Sequence, residues 1–133
     1  MQNLLENELV SFQYDPSKKI LKSTYKGLFN YQLSKDIYEN QIDSVLNVNA
    51  TIKVADMRNL RGSFMRIMDN LIGLYPILKK RGLKAEVFII SDDLIIKHLI
   101  GIVCEKLNSL GIDTYTCSSL KEADSWIERY LKK

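Results

Sequence analysis

The sequence predicts a single α/β domain with ββα(βα)3 order and a mixed, mainly parallel sheet packed with helices. Three observations lead to this fold class: an alternating hairpin opens the chain, strands then alternate with helix-length segments, and no linker separates them. A length of 133 residues suits one domain. Residues 10–133 form that domain, and residues 1–9 are an N-terminal extension, either a frayed end or a short covering segment.

The opening hairpin is predicted from period-two alternation. In "VSFQYD" (residues 10–15), Val10, Phe12 and Tyr14 share one side, which is typical of a half-buried strand. The turn Asp15–Lys18 contains Pro16, which presets the backbone for a turn, and Asp15 can accept bonds from the amides ahead of it. "ILKSTYKGLF" (residues 20–29) then returns as a second strand rich in β-forming residues.

Two helices and a third strand follow. Asn30 can cap a helix over residues 31–47, and "ATIKVADM" (residues 50–57) is the third predicted strand. The next helix presents an apolar stripe at helical spacing, formed by Phe64, Ile67, Met68, Leu71, Ile72 and Tyr75. Pro76 is expected to kink this helix or to lie near its end, where Lys79, Lys80 and Arg81 suit the dipole and Gly82 the position after it.

The last two strand–helix units are the most regular. "KAEVFIIS" (residues 84–91) is a continuous apolar run, as in a central strand covered on both faces. Ser91, Asp92 or Asp93 then caps a helix that ends at Gly111. Its expected buried stripe is Ile96, Leu99, Ile100, Val103, Cys104 and Leu107. "IDTYTCS" is the last strand, Ser119 and Glu122 match a capping box, and the final helix is expected to bury Leu120, Ala123, Trp126, Ile127 and Tyr130.

Composition excludes several classes of protein. Hydrophobic residues make up 46% and charged residues 26%, as in globular chains. The net charge is only +3 and the basic residues are scattered, so no nucleic-acid partner is expected. No stretch approaches the roughly 20 apolar residues of a membrane span, and the acidic start is unlike a signal peptide. Two cysteines are too few for a disulfide framework, and we expect a cytoplasmic location.

Enzyme signatures are missing from the sequence. It contains no glycine-rich phosphate loop, no G-x-S-x-G motif and no metal-spaced Cys/His cluster, so we expect no catalytic residue, no metal and no cofactor. His98 lies beside core positions of a helix, and Cys104 lies on a buried stripe, so both are interpreted as structural.

The candidate site is the carboxyl edge of the sheet, where ligands of open α/β sheets collect. Three predicted loops lie there, residues 27–30, 56–63 and 91–93, and they converge if their strands are neighbours. The candidate partner-binding or ligand-binding residues are Asp56, Arg58, Asn59, Arg61, Ser63, Ser91 and Asp92.

Ser63 and Asp56 each have two interpretations. Ser63 is either the N-cap of the following helix or a phosphoacceptor whose phosphate the helix dipole, with Arg58 or Arg61, would hold. Asp56 is unlike the acceptor aspartate of a receiver domain, because the acidic cluster and the later lysine that this chemistry needs are missing. We expect Asp56 to bond backbone amides of its own loop, or to pair with Arg58 or Arg61.

The order of elements resembles the STAS (sulphate transporter and anti-sigma factor antagonist) superfamily, and within it the bacterial SpoIIAA-like group of STAS/SEC14-type domains. The residues that carry the resemblance are "YDP…KILKSTYKG", "VADMRNL", "GLKAEVFIISD" and "GIDTYTCSSLKEADSWI". The resemblance implies a small regulatory or interaction domain. Antagonists of this kind carry a phosphorylatable serine in an Asp-Ser-Ser-Gly-like motif, and Ser63 lies close to that position but in the sequence Arg61-Gly62-Ser63-Phe64.

Three functional hypotheses follow. The first is a non-enzymatic regulatory domain of STAS type, comparable to an anti-sigma factor antagonist, which binds an unknown protein partner through the loop after the third predicted strand. The second is a small-molecule module that binds an anion, a nucleotide or a lipid at the strand-end loops. The third is a homodimer in which Leu28, Phe29 and Tyr31 form the contact.

Overall fold

A six-stranded sheet organises the part of the chain that the computed structural model describes, namely residues 2–6, 10–29, 32, 47–62 and 72–133. In chain order the elements are β1 (Gln2–Glu6), β2 (Val10–Asp15), β3 (Ile20–Phe29), β4 (Ile52–Gly62), α1 (Tyr75–Lys80), β5 (Ala85–Ile89), α2 (Leu94–Ser109), β6 (Asp113–Cys117) and α3 (Leu120–Leu131). The helix predicted for residues 31–47 lies largely outside the described residues, and so does most of the stripe predicted from Phe64.

The strands lie in the sheet in the same order as in the chain. β1, β2 and β3 pair antiparallel, whereas β3, β4, β5 and β6 pair parallel, which confirms the predicted mixed, mainly parallel sheet. β1 was not predicted as a strand. Its sequence, "QNLLE", places two leucines side by side and so lacks the period-two alternation that identifies a half-buried strand.

The hairpin turn forms as its residues predict. The Asp15 carboxylate accepts bonds from the amides of Ser17 at 3.0 Å and Lys18 at 3.3 Å, and from the Ser17 hydroxyl at 2.6 Å. Lys19 completes the turn with a φ of 56°, and its carbonyl accepts a 2.8 Å bond from the amide of Thr51, just before β4. The turn therefore also fixes where β4 enters the sheet.

β4 is longer than predicted, and this changes the candidate site. Residues 56–62 were expected to be a loop, but they continue the strand, and Gly62 pairs with Phe29 at the far end of β3. Thr24 pairs with Asp56 and Lys26 with Asn59, so β4 carries one extra residue at a bulge. The bulge and the outward-facing charges hide the strand pattern, although Met57 and Leu60 are both buried.

The two faces of the sheet are covered by different helices. We call the first the α2 face, where Ala55, Met57, Phe88 and Ile90 pack against buried residues of α1 and α2. We call the second the α3 face, where the core consists of Ile52, Val54, Ala85, Val87, Ile89 and Cys117 with Ala123 and Ile127 of α3. β4 and β5 are thus buried on both sides, as the apolar run in β5 predicted.

Helix ends follow the predicted signals with one difference. Pro76 stands in the first turn of α1, where its missing N–H is harmless. Most of the helix predicted before Pro76 lies outside the described residues, so the kink or helix end expected there stays a prediction. Gly82 (φ 116°) and Gly111 (φ 83°) follow α1 and α2 in the left-handed conformation that closes a helix. Leu120, expected in the core, is 38% exposed because it occupies the first position of α3.

Side-chain caps fix the start of α2 and α3. Of the three candidates for α2, Asp93 is the cap, and its carboxylate accepts from the amides of Ile95 and Ile96. Ser119 caps α3 by accepting from the amide of Glu122 at 3.1 Å. The Glu122 carboxylate in turn accepts from the hydroxyl of Ser118.

Aromatic stacking fastens α3 to the edge strand. The ring of Trp126 stacks on Tyr115 of β6 with centroids 5.3 Å apart, and on Tyr130 with centroids 4.8 Å apart. The Tyr130 hydroxyl donates to Asp113 Oδ2 at 2.7 Å. Burial and this bond to Asp113 raise the pKa of Tyr130 to about 12.

Replacing Tyr130 with Phe is expected to lower the free energy of unfolding by about 1 kcal/mol at neutral pH, because the bond to Asp113 is lost. The raised pKa means that the hydroxyl contributes fully below its ordinary value of 10.0 and that the contribution is lost as the pH rises toward about 12. Urea denaturation across this range should show a smaller decline in Tyr130→Phe than in the parent chain. Tyr115→Phe, which keeps the ring stack, is the matched control, and an equal decline in all three would contradict the assignment.

Candidate functional site

Asp56 and Arg58 form an ion pair where β4 passes the end of β5. Arg58 Nε lies 3.0 Å from Asp56 Oδ1 and Arg58 Nη2 lies 2.8 Å from Asp56 Oδ2, so the guanidinium contacts both carboxylate oxygens. The amide of Arg58 also donates to Asp56 Oδ1 at 3.3 Å. Both interpretations of Asp56, pairing with Arg58 and bonding a backbone amide, are confirmed by these contacts.

The position of Asp56 explains why it needs this partner. Asp56 is only 6% exposed and is paired in register with Thr24 and with Ile89, on the α3 face. Burial opposes its ionisation, but the hydrogen bonds from Arg58 outweigh burial and lower the pKa of Asp56. Asp56 is therefore a buried carboxylate whose charge is compensated by Arg58.

The other candidates on β4 face solvent. Asn59 and Arg61 are exposed and occupy alternate positions of the strand, so they point to the same side of the sheet. Ser63 lies outside the described residues, and its two interpretations stay predictions. The same holds for the homodimer contact, because Tyr31 and the side chains of Leu28 and Phe29 are not described.

The connection from β5 to α2 carries the remaining candidates. Asp92 is exposed and pairs with Lys97 at 3.1 Å, while Ser91 is half-buried. Asp56 is paired with Ile89, two residues before Ser91, so the extension of β4 and this connection start from the same level of the sheet. β3, β4 and β5 are neighbours in the sheet, but Gly27–Phe29 and residues 56–62 continue β3 and β4, so within the described residues only 91–93 form one of the three predicted loops.

Two large apolar side chains follow this connection directly. Leu94 is 80% exposed and Ile95 is 70% exposed at the start of α2. The sequence interpretation missed them, since it considered only the buried stripe of this helix. The signal was present, because "LII" places three apolar residues in one turn and a single helix face cannot bury all three.

A buried polar cluster on the α2 face was also missed. The Glu86 carboxylate, which is fully buried, accepts from the Tyr75 hydroxyl at 2.5 and 2.7 Å and pairs with Lys53 Nζ at 3.0 Å. Lys53 Nζ also donates to the Tyr75 hydroxyl at 3.2 Å. Three elements, β4, β5 and α1, therefore meet at one carboxylate.

The charges of this cluster depend on each other. Burial opposes a charge on Lys53, but the Glu86 carboxylate outweighs burial, so the pKa of Lys53 is raised well above its usual value. Burial, together with the same carboxylate, raises the pKa of Tyr75 well above its usual value. Tyr75 thus stays a neutral donor and Lys53 stays a cation. The sequence signal is the pair "IKVA" and "AEVF", with opposite charges at matching positions of two apolar strands.

Of the two thiols, Cys104 is half-buried and Cys117 is buried. Burial raises the pKa of Cys104 and of Cys117, which disfavours the nucleophilic thiolate. No group of three or more His, Cys, Asp or Glu side chains is placed to hold a metal ion within the described residues. None of the helices that the structure describes is long and apolar enough to cross a membrane.

Replacing Lys53 with Met is expected to lower the free energy of unfolding by about 3–5 kcal/mol, because Glu86 would remain buried without its cation. Adding Glu86→Gln should recover part of this loss. Lys26→Met, at an exposed position on the other face of the sheet, is the control and should change stability by less than about 0.5 kcal/mol. Urea denaturation of the three variants measures these effects, and equal losses in Lys53→Met and Lys26→Met would refute a structural ion pair.

Replacing Arg58 with Met is expected to lower the free energy of unfolding by about 2 kcal/mol at neutral pH, because it removes both guanidinium bonds and the compensating charge from the buried Asp56 carboxylate. The lowered pKa of Asp56 means that this contribution is present above the ordinary value of 3.8 and is lost as the pH falls further. The difference between parent and variant should therefore shrink in acid. Arg61→Met removes an exposed arginine from the same strand and is the control. Measurements of the free energy of unfolding from neutral to acid pH should give the same pH dependence for Arg61→Met and the parent chain. If Arg61→Met changes this dependence as much as Arg58→Met does, the ion pair of Asp56 with Arg58 is not its cause.

The fold has a counterpart among solved structures. The crystal structure of an uncharacterized DUF3478-family protein from Shewanella loihica PV-4, described as having a SpoIIAA-like fold, superposes on this chain with a TM-score of 0.57. The match covers 92% of this chain and 98% of that protein at 14% sequence identity, so the likeness concerns the fold alone. No protein-family model and no curated protein matches the chain. The chain therefore has the SpoIIAA-like α/β fold that its sequence predicted.

Proposed function

We propose that this chain is a cytoplasmic, non-enzymatic regulatory domain of STAS type that binds a protein partner at the carboxyl edge of its sheet. The observation that carries the proposal is the exposure of Leu94 and Ile95 beside Asp92. Burying one such side chain contributes about 1.5–3 kcal/mol, so this pair offers a partner a substantial apolar contact. The free thiols of Cys104 and Cys117 suit a reducing compartment.

The geometry of the helix start presents these side chains in a fixed place. The Asp93 carboxylate accepts from the amide of Ile95 at 2.8 Å and from that of Ile96 at 3.1 Å. Ile96 is buried, so the first turn of α2 is anchored to the core while Leu94 and Ile95 face outward. Because the backbone of this turn is already fixed, binding through Leu94 and Ile95 costs little backbone entropy, which favours a specific contact.

The polar groups at this edge support binding in preference to catalysis. Asp56 is neutralised by Arg58, Asp92 pairs with Lys97, and Asp93 is committed to the helix cap. A carboxylate at the start of α2 also occupies the amides that an anion or a nucleotide would use. At the start of α3, the Ser119 hydroxyl accepts from one such amide, that of Glu122. These contacts favour the protein-partner hypothesis over the small-molecule hypothesis.

The test replaces both exposed side chains. We expect Leu94→Ser with Ile95→Ser to lose partner binding by tenfold or more, since central apolar contacts dominate many interfaces, with little change in melting temperature. Affinity purification of the tagged chain from its own cells, followed by binding measurements with the protein recovered, provides the readout.

Ile77→Ser is the matched control, because Ile77 is 43% exposed on α1 and belongs to another surface. A partner that binds the parent chain and the Ile77 variant, but not the double variant, supports the proposal. The proposal is wrong if the double variant binds every recovered protein as tightly as the parent does.

A further inference from the structure

The α3 face of the sheet has an open, positively charged region beyond the area that α3 covers. α3 packs over Ile52, Val54, Val87 and Ile89. Beyond them Lys22 and Thr24 of β3 are half-buried, and Lys26, Asn59 and Arg61 are exposed. Lys22, Thr24 and Lys26 alternate along β3, and Asn59 pairs in register with Lys26. We call this region the basic face, and it consists of Lys22, Thr24, Lys26, Arg58, Asn59 and Arg61.

This region could not be predicted from the sequence, because its residues come from two strands that are far apart in the chain and are brought together only by the strand register. β3 and β4 contain five basic residues and one acidic residue, Asp56. Lys53 does not belong to the basic face, because it lies on the α2 face and pairs with Glu86. Four cations against one carboxylate leave a surplus of three positive charges on the basic face.

The surplus charge is available to a partner. Arg58 is the cation that compensates Asp56. Within the described part of the chain, Lys22, Lys26 and Arg61 form no ion pair. Lys26 and Arg61 are exposed, and Lys22 is half-buried close enough to Asp56 to contribute to its lowered pKa. These cations stand on a rigid, hydrogen-bonded pair of strands, which holds them at fixed spacings.

The spacing matches an extended chain of acidic residues. Lys22 and Lys26 are four strand positions apart, about 13 Å, with Thr24 between them. On β4, Asn59 and Arg61 are two positions apart, about 7 Å. An extended peptide repeats its side chains on one side at the same interval of about 7 Å, so carboxylates at alternate residues would meet the cations in register.

The residues between the cations favour a protein segment over a nucleic acid. Proteins that bind single-stranded nucleic acid add aromatic side chains on which the bases stack. No aromatic residue occupies a position on this face in β3 or β4, and Tyr25 instead contacts Phe12 on the α2 side. Thr24 and Asn59 supply short polar side chains that suit a peptide backbone.

We propose that the basic face binds an extended, acidic protein segment with carboxylates at alternate residues. This surface lies on the other side of the sheet from α2, which carries Leu94 and Ile95, so the inference does not depend on the proposed function. The basic face is then a second binding surface, which recognises its partner by charge and by strand spacing, whereas Leu94 and Ile95 offer apolar area.

The test uses the full chain and a fluorescent synthetic peptide of about eight residues that alternates Glu and Thr, with a Gln/Thr peptide as the neutral probe. Fluorescence anisotropy should show binding of the acidic peptide that weakens as salt is raised, and no binding of the neutral one. Lys26→Glu with Arg61→Glu should weaken binding at least about tenfold. Both side chains are exposed, and melting curves verify that the variant is folded.

Lys80→Glu with Arg81→Glu is the matched control, because it makes the same change of charge at exposed positions at the end of α1, on the α2 side. It should change the affinity by less than about twofold. The proposal is overturned if the acidic peptide does not bind at low salt, or if both double variants lose binding equally. It is also overturned if a thymidine oligonucleotide of equal charge binds more tightly than the peptide with the same dependence on Lys26 and Arg61.

Discussion

The buried ion pair between Lys53 and Glu86 is the interaction on which the centre of the sheet depends. A fully buried carboxylate is costly unless its partners are near, so β4 and β5 must align to bring Lys53 beside it. Slipping one strand by a single residue would turn Lys53 to the opposite face and would also expose the apolar residues around it. Tyr75 contributes the third contact and thereby fixes α1 against the same point. Register and helix placement are therefore specified together.

The functional surfaces follow from that register. With β4 fixed against β5, the last residues of β4 extend beyond Ile89 and pair only with β3 among the described strands. The bulge near Met57 turns Arg58 toward Asp56, which removes the one acid of β3 and β4 from solvent. The exposed side chains that remain on the basic face are positively charged or neutral. On the other side of the sheet, Leu94 and Ile95 follow the connection from β5 and are exposed. The sheet thus has a charged surface on one side and an apolar surface on the other.

Sequence reasoning succeeded where the determining contacts are local. The Asp15 turn, the Ser119 cap and the glycines after α1 and α2 involve neighbours within a few residues, and the apolar stripe of α2 repeats regularly. It failed where partners come from distant strands. The Lys53–Glu86–Tyr75 cluster, the true end of β4 and the grouping of Lys22 with Arg61 all require the register, which no short window contains. β1 was missed because its partner, not its own pattern, makes it a strand.

The chain-order arrangement of the six strands has a consequence for how the sheet assembles. Each strand after β1 lies beside the one made just before it, so every pairing closes a loop no longer than a single connection. The parallel pairings still join distant residues, such as Ile20 and Ile52, so each of them closes more slowly than the opening hairpin. During synthesis the growing sheet always presents its newest edge to the next strand, and no strand has to be inserted between two that are already paired. The protein can therefore grow its sheet in one direction, from the hairpin to α3.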